Sequence, residues 1–288
     1  MTTTAVEPTT LRKPLPSEID VFGLTHAGRV RATNADHFLV TSFHRALKIH
    51  ASSLDGGVLP PLSTDSRGYM FLVADGVGGF EHAQDGSAQA TDCIARFFLD
   101  SSEISLQTNP EREPEVIERL RKSVTCAHET LLAFARDAGG AAATTITVWF
   151  GLWPRGFVIH AGDSRCYRMR DGVLLQTTTD QTMAQVMVDA GAMSREAAEA
   201  SRLKHVLVSA VGSSQLDLQV NAFDLRYDDR WLLCSDGLTR HVNDEEIREH
   251  LGADESAEVI CRRLLALALE RGGEDNVTVI VARRAIGT

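Results

Sequence analysis

The sequence predicts an α+β fold in which helices are layered against antiparallel strands. Short runs rich in Val, Ile, Thr and aromatic residues outnumber the segments with helical periodicity. Several neighbouring runs are joined by connections too short for a crossover helix, as in "RCYRMRDGVLLQTT", so they must pair as antiparallel hairpins. Two helical segments separate the first group of strands from the second, which favours layers of strands and helices over alternating βαβ units.

Each predicted strand is a short run of high β propensity bounded by turn residues. In chain order the predicted strands are "DVFGLT" (20–25), "HFLVT" (37–41), "ALKIHA" (46–51), "YMFLVA" (69–74), "TTITVWFGL" (144–152), "FVIHAG" (157–162), "RCYRMR" (165–170), "VLLQTT" (173–178), "LQVNAFDL" (218–225), "RWLLCS" (230–235) and "NVTVIVAR" (276–283). Residues 52–68 are rich in Gly, Pro and Ser and predict a loop.

The clearest helical signal follows "EPEV", where apolar residues recur every three or four positions and predict one stripe facing the core. The stripe consists of Val116, Leu120, Val124, Ala127, Leu131 and Phe134. Further helices are predicted at 84–99, 181–190, 194–200, 243–250 and 255–270.

The composition indicates one acidic globular domain. A formal charge of −10 disfavours nonspecific binding of nucleic acid, which depends on clustered Lys and Arg. We expect a flexible tail at 1–17, rich in Thr and Pro, and a single domain at 18–285. The sequence has neither a signal-peptide core nor a membrane-length apolar run, so we expect a cytoplasmic protein away from membranes. The five scattered cysteines form no C-x-x-C pair and are predicted to be buried thiols.

Five Asp-Gly dipeptides occur, at Asp55, Asp75, Asp85, Asp171 and Asp236. The dipeptide is typical of a plain turn, and this explanation suffices for Asp171, which lies between two alternating strands. Asp55 falls in the predicted loop. Asp85 is interpreted as part of the N-cap region of the helix that follows.

Asp75 and Asp236 differ, because each follows an unbroken apolar run that predicts a core strand. Asp163 ends "FVIHAGD", and Asp275 with Asn276 opens the last strand. Four carboxylates gathered at the ends of core strands would repel one another without a counter-charge, and oxygen ligands favour Mg²⁺ or Mn²⁺ over zinc. The alternative is that each aspartate caps a separate helix or turn. The spacing alone leaves both interpretations open.

Six motifs occur in a fixed order along the chain: "GRVRATNAD" (28–36), "VADGVGG" (73–79), "ATTITV" (143–148), "AGDSR" (161–165), "LLCSDGLT" (232–239) and "EDNVTVIVAR" (274–283). The ordered set resembles the metal-dependent protein phosphatases, the type 2C serine/threonine phosphatases, in their compact bacterial form. The resemblance extends from about residue 19 to residue 284. It implies a four-layer αββα sandwich, with two central antiparallel sheets flanked by helices and a two-metal centre at one end.

The resemblance also implies the metal ligands. Asp75 matches the carboxylate that bridges two Mn²⁺ or Mg²⁺ ions, and the carbonyl of Gly76 matches a ligand of the second ion. Asp236 and Asp275 match the ligands of the first ion. Asp163 matches a ligand of a third, weakly bound ion.

The resemblance implies catalytic roles for Arg31, Asp36 and Asp75. It also implies that Arg31 binds the phosphate of the substrate. Arg29 is expected to be the solvated arginine of "GRVR". The resemblance implies that a hydroxide bridging the two ions would attack phosphorus, so no Ser or Cys nucleophile would be needed. Cys234 lacks the basic surroundings of a reactive thiolate and is expected to lie in the core.

Several positions depart from the family pattern. Ala35 stands where the family usually has an acid thought to orient water, and Val77 offers no proton donor for the leaving group. His82 lies nearby, although a solvated loop histidine is the simpler interpretation. Ala143 replaces a glycine. The usual Asp-His-Ser occurs as Asp-Gln-Thr at 180–182, next to a segment that resembles the mobile flap of bacterial members.

We therefore expect a monomeric, Mn²⁺- or Mg²⁺-dependent phosphatase acting in signal transduction on phosphoserine and phosphothreonine in proteins, in opposition to a serine/threonine kinase and its targets. A second hypothesis is a weakly active or silent module that binds phosphoproteins, because Ala35 lacks the acid. A third is a hydrolase of small phosphoesters.

Overall fold

The computed structural model describes residues 13–44, 46–47, 62–63, 68–78, 82–100 and 112–286 of the 288-residue chain. Residues 1–12 of the predicted tail therefore lie outside the described residues, as do most of the predicted loop 52–68 and the end of the predicted strand 46–51. Pro16–Glu18 forms a short 3-10 turn that leads into the first strand. The predicted boundaries of tail and domain stay predictions.

The strands are β1 (Ile19–His26), β2 (Asp36–Phe43), β3 (Ala46–Leu47), β4 (Leu62–Ser63), β5 (Gly68–Asp75), β6 (Ile146–Leu152), β7 (Arg155–Ala161), β8 (Arg165–Arg170), β9 (Val173–Gln176), β10 (Gln219–Asp224), β11 (Arg230–Cys234) and β12 (Val277–Arg284). The helices are α1 (Ala83–Asp100), α2 (Glu113–Ala138), α3 (Met183–Asp189), α4 (Arg195–Ala200), α5 (Asp236–Thr239), α6 (Asp244–Gly252) and α7 (Ala257–Glu270).

Ten of these strands form two five-stranded antiparallel sheets. One sheet has the order β1-β12-β11-β8-β9, and the other has the order β10-β7-β6-β5-β2. Strands β3 and β4 form a separate two-stranded pair. The two large sheets face each other, with α1 and α2 on the outer face of the second sheet and α5, α6 and α7 on that of the first. This αββα architecture confirms the predicted fold class.

Three apolar clusters hold the four layers together. Between the sheets, Phe71 stacks on Trp149 at a ring-centroid distance of 4.8 Å, and Trp149 contacts Trp231. Ile94 of α1 and Leu131 of α2 pack on the second sheet, and the opposite cluster joins α7 to β11 and β12. Burial of these side chains is the main stabilising contribution, at about 1.5–3 kcal/mol for each large apolar group. The strands that carry acids at their ends are therefore rigidly supported.

The predicted apolar stripe lies on α2 as expected. Its four central residues are buried, while Val116 and Phe134 pack at the edge of the same cluster. The predicted turn at Asp171 is also confirmed. Asp171 has φ 51° and Gly172 has φ 77°, the two left-handed conformations that a tight I′ turn between β8 and β9 requires. Among the described residues no helix is both long and apolar enough to cross a bilayer.

Candidate active site

The sheets bring four predicted acids to one end of the sandwich. Asp75 is the last residue of β5, Asp163 follows β7, Asp236 follows β11 and Asp275 precedes β12. Because neighbouring strands run in opposite directions, ends and beginnings alternate along this edge. These four acids line one cleft of about 510 Å³ together with Arg31 and Gly76. Each predicted metal ligand therefore borders the same cleft.

Backbone bonds fix Asp75 and Gly76. The Asp75 N–H donates to Thr145 Oγ1 at 3.1 Å, and its carbonyl accepts the Thr145 N–H at 2.8 Å. The Gly76 N–H donates to the carbonyl of Ala35 at 3.1 Å. A Cβ on Gly76 would lie 2.5 Å from the carbonyl of Ala83 and 2.9 Å from that of Ala35. Only glycine fits this passage between two backbone segments.

Asn276 fixes the loop that carries Arg31. Its side-chain amide donates to the carbonyls of Ala27 and Thr33, both at 2.9 Å, and its Oδ1 accepts the N–H of Ala35 at 2.8 Å. Arg31 thereby lies next to Asp275, donating from Nε to Oδ1 and from Nη2 to Oδ2, each at 2.8 Å. The "EDN" segment therefore positions both a predicted metal ligand and the predicted phosphate-binding arginine.

Asp36 lies behind the cleft rather than on its surface. It pairs directly with Asp75 across β2 and β5, and only 3% of it is exposed. Its Oδ2 accepts hydrogen bonds from Ser235 Oγ and Thr278 Oγ1, both at 2.7 Å. These bonds link β2, which pairs with the strand carrying Asp75, to the segments before Asp236 and after Asp275. Asp36 therefore positions the other acids, and its predicted catalytic role stays a prediction.

Burial, and after it the repulsion between neighbouring carboxylates, raises the pKa of the acids at this site. Burial raises the pKa of Asp75 well above its usual value, and the charges of Asp36 and Asp236 add to this effect. Burial, followed by the charge of Asp236, raises the pKa of Asp163 well above its usual value. Burial raises the pKa of Asp36 to about 6, opposed by its two hydroxyl donors. Such mutual repulsion marks a centre built to receive positive charge.

The residues present fit a divalent cation. Four carboxylates line the cleft with the two guanidiniums of Arg31 and Arg240, and Asp36 lies behind them, which leaves an excess of negative charge. Asp36 Oδ1 is buried and has no hydrogen-bond donor among the described residues. The donor set consists of oxygen atoms, which suits Mg²⁺ and Mn²⁺. Within the described ranges no three acidic, His or Cys side chains converge on one point, and Mg²⁺ is commonly held by one or two carboxylates with several waters.

Arg240 was missed by the sequence analysis. It lies one helical turn after Asp236, and its Nε donates to Asp236 Oδ2 at 2.8 Å. Its Nη1 lies 3.0 Å from Asp275 Oδ2. The i, i+4 spacing of Asp and Arg in "DGLTR" was the available signal, because such pairs face each other on a helix.

His205 was also missed. It ends the short 3-10 turn Arg202–His205, lines the cleft and has Nδ1 3.9 Å from Asp236 Oδ2. Its segment is held against the residues at 180–182, since the Val208 N–H donates to the Gln181 carbonyl at 2.9 Å. Gln181 Oε1 in turn accepts the N–H of Gly162, next to Asp163, at 2.9 Å. No local pattern in the sequence signals such long-range placement.

The remaining departures have structural roles. The carbonyl of Ala143 accepts the N–H of Val77 at 2.9 Å, so it fixes the loop after Asp75. His82 contacts Asp85 at 3.3 Å and the ring of Phe134, and it does not line the cleft. The structure places Asp85 within the first turn of α1.

The cysteines carry no nucleophile for this site. Cys234 has no exposed surface and its pKa is raised by burial, as expected for a core thiol. Cys166 and Cys261 are buried as well. Cys93 and Cys126 are only half-buried, unlike the buried thiols that the sequence predicted. They face each other between α1 and α2, and their sulfur atoms lie 3.5 Å apart.

A second cavity, of about 90 Å³, lies at the other end of the sheets and is lined by aromatic residues. Its two acids are already engaged. Glu18 accepts the N–H of Leu15 at 2.7 Å, and Asp229 pairs with Arg170 at 2.6 Å. Because its acids are paired and no acidic cluster borders it, we place the candidate site in the larger cleft.

Comparison with known proteins agrees with this geometry. The serine/threonine protein phosphatase PstP of Mycobacterium tuberculosis is 34% identical over 239 residues, which are 81% of this chain and 44% of that protein. The serine/threonine phosphatase stp of Listeria monocytogenes is 28% identical over 239 residues, 82% of this chain and 91% of that protein. A crystal structure of the PstP catalytic domain with two manganese ions superposes with a TM-score of 0.71 at 29% identity, covering 93% of this chain and 99% of that one.

This chain thus spans less than half the length of the mycobacterial protein that it matches. The model of the family described as protein phosphatase 2C matches residues 61–271, which is more than half of the chain. The predicted resemblance is confirmed, and the chain belongs to the protein phosphatase 2C family.

Proposed function

We propose that this protein is a Mn²⁺- or Mg²⁺-dependent phosphatase that hydrolyses phosphoserine and phosphothreonine in proteins. The observation that carries the proposal is that Asp75, Asp163, Asp236 and Asp275 line one cleft beside Arg31. The two manganese ions in the crystal structure of the related PstP catalytic domain support a centre that holds two ions. Phosphorylated proteins, including a serine/threonine kinase and its targets, are the proposed substrates.

In this mechanism Asp75, Asp236 and Asp275 would hold two cations together with the Gly76 carbonyl, and Asp163 would help to hold a third, weaker ion. The bound cations would lower the pKa of a water molecule and neutralise charge on the phosphoryl oxygens. The forked guanidinium of Arg31 orients the phosphate by paired hydrogen bonds. Asp36 keeps the strands that carry these ligands in register through Ser235 and Thr278.

The test is hydrolysis of a phosphothreonine peptide with Mn²⁺. Asp75→Asn and Asp236→Asn should each lower kcat/KM by at least about a hundredfold, the scale expected when charge stabilisation of the transition state is lost. Asp171→Asn is the matched control, because it removes the same charge in a left-handed turn that Asn also accepts. Activity that survives chelation with EDTA, or either of the first two substitutions, contradicts the two-ion mechanism.

A weakly active module that binds phosphoproteins is the second candidate, and Ala35 is the observation that favours it. Ala35 lines the cleft and offers no side-chain acid. Ala35→Glu discriminates between the two. A complete enzyme should gain little in kcat, whereas a gain of tenfold or more would support the impaired module. Free phosphoamino acids and nucleotides, assayed beside the peptide, test the small-phosphoester hypothesis.

A further inference from the structure

Arg240 is held as an internal cation at the metal centre. Its backbone N–H donates to the carbonyl of Asp236 at 2.9 Å, which fixes it one turn beyond that residue. Both Nε and Nη2 donate to Asp236 Oδ2, and Nη1 reaches Asp275 Oδ2 at 3.0 Å. One guanidinium thus bridges two of the proposed metal ligands.

The acceptor positions of Asp275 are already occupied. Oδ1 accepts from Arg31 Nε at 2.8 Å and from the N–H of Asn276 at 3.0 Å. Oδ2 accepts from Arg31 Nη2 at 2.8 Å and pairs with Arg240 Nη1. A carboxylate offers about four lone-pair positions, so a metal ion can bind Asp275 only when an N–H group leaves. The bond from Asn276 is a backbone bond, which leaves the two arginines.

Of the two arginines, Arg240 affects both carboxylates. Arg31 contacts Asp275 alone and has 49% of its side chain exposed, whereas the Arg240 side chain is 26% exposed and contacts Asp236 as well. A guanidinium stays charged at any physiological pH, so its attraction for the two carboxylates is permanent. A divalent cation must compete with that attraction directly.

We propose that Arg240 competes with the metal ion for Asp236 and Asp275 and thereby lowers the affinity of this centre for Mn²⁺ or Mg²⁺. The inference rests on the proposed two-ion function. The guanidinium neutralises the charge of the two carboxylates when metal is scarce, and the Arg240 side chain moves away from them when metal binds. The apparent Kd for the metal ion is then higher than the carboxylates alone would give, so occupancy of the centre requires a higher free cation concentration.

Isothermal titration of the full chain with Mn²⁺, without substrate, tests the proposal. Arg240→Gln should bind Mn²⁺ at least about tenfold more tightly than the wild type, because the charge-assisted contacts to Asp236 and Asp275 no longer have to be broken. Arg248→Gln is the matched control. It removes the same charge from an exposed pair with Glu245 on α6, and its Kd should stay within about twofold of the wild type.

Thermal unfolding separates competition from a purely structural role. In EDTA, Arg240→Gln should melt at a lower temperature than the wild type, because the two acids are left without a counter-charge. In saturating Mn²⁺ the two proteins should melt together. An equal deficit in both conditions, or a Kd for Arg240→Gln that is no tighter than that of the wild type, overturns the proposal.

Arg240→Lys provides a second variant if the glutamine variant does not fold. A single ammonium cannot hold both carboxylates as the fork does, so the affinity for Mn²⁺ should rise by a smaller factor. A folded lysine variant with unchanged affinity counts against the proposal. A wild-type protein that takes up no Mn²⁺ contradicts the proposed function itself, and this inference fails with it. Uptake by the wild type with no change in either variant overturns the inference alone.

Discussion

Gly237 offers a sharp test of how the fold holds the two acids, because it lies between the segments that carry them. It follows Asp236 in α5, and a Cβ built on it would lie 1.9 Å from the backbone carbonyl oxygen of Asn276. Real Cβ contacts essentially never fall below 3.0 Å. Gly237→Ala must therefore separate the two segments by roughly 1.1 Å, the difference between 3.0 and 1.9 Å.

The expected cost follows from this displacement. Overpacking a rigid core typically destabilises a protein by about 1–3 kcal/mol. For a chain of this size that corresponds to a fall in Tm on the order of 2–10 °C. Because the clash separates Asp236 from Asp275, the affinity for Mn²⁺ should fall together with the Tm. A misplacement of about 1 Å in a catalytic site commonly costs about a hundredfold in rate.

Differential scanning fluorimetry and Mn²⁺ titration measure the two effects. Gly78→Ala is the matched control, because a Cβ on Gly78 meets none of the described residues within 4 Å and its backbone needs no positive φ. Its Tm and Mn²⁺ affinity should equal those of the wild type. A Gly237→Ala protein with an unchanged Tm refutes the steric reasoning. A lowered Tm with unchanged Mn²⁺ affinity refutes the conclusion that this contact sets the separation of the two acids.

Two further predictions concern histidines. Burial lowers the pKa of His160 to about 4 from its ordinary value of 6.5, so its stabilising contribution is complete above pH 6.5 and is lost as the pH falls toward 4. Between pH 7.5 and pH 4.5, the free energy of unfolding measured in urea should fall by about 2–3 kcal/mol more for the wild type than for His160→Gln. Equal decreases for the two proteins would contradict this assignment. His205→Ala should raise KM for a phosphopeptide about fivefold, the equivalent of one contact in the cleft, whereas His82→Ala should leave kcat and KM within about twofold. The opposite ranking in steady-state kinetics would identify His82 as the functional histidine.

The predictions that succeeded from local sequence rest on short-range physics. The turn at Asp171 follows from the left-handed preference of Asp-Gly between alternating strands. Asp75 and Asp236 could be distinguished from that turn because unbroken apolar runs precede them, and such runs belong to strands covered on both faces. Their position at the edge of the core is thus encoded in the neighbouring residues.

What the sequence did not predict depends on long-range pairing. Asp36 lies opposite Asp75 only because β2 pairs with β5, and no local pattern sets the register of that pair. His205 reaches the cleft because its segment is bonded to Gln181. The four-residue helix α5 is too short to show helical periodicity, so the placement of Arg240 one turn after Asp236 was overlooked.

The departure at Ala35 shows why side-chain identity and backbone function must be separated. The N–H of Ala35 donates to Asn276, and its carbonyl accepts from Gly76 N–H and from Ser87 Oγ. All of these bonds are made by the backbone of Ala35 and none by its side chain. An acid at this position is therefore not needed to hold the Arg31 loop against Gly76. The absence of an acid therefore leaves the architecture intact. Ala35→Glu should accordingly retain the wild-type Tm in differential scanning fluorimetry, and a lowered Tm would contradict this separation of roles.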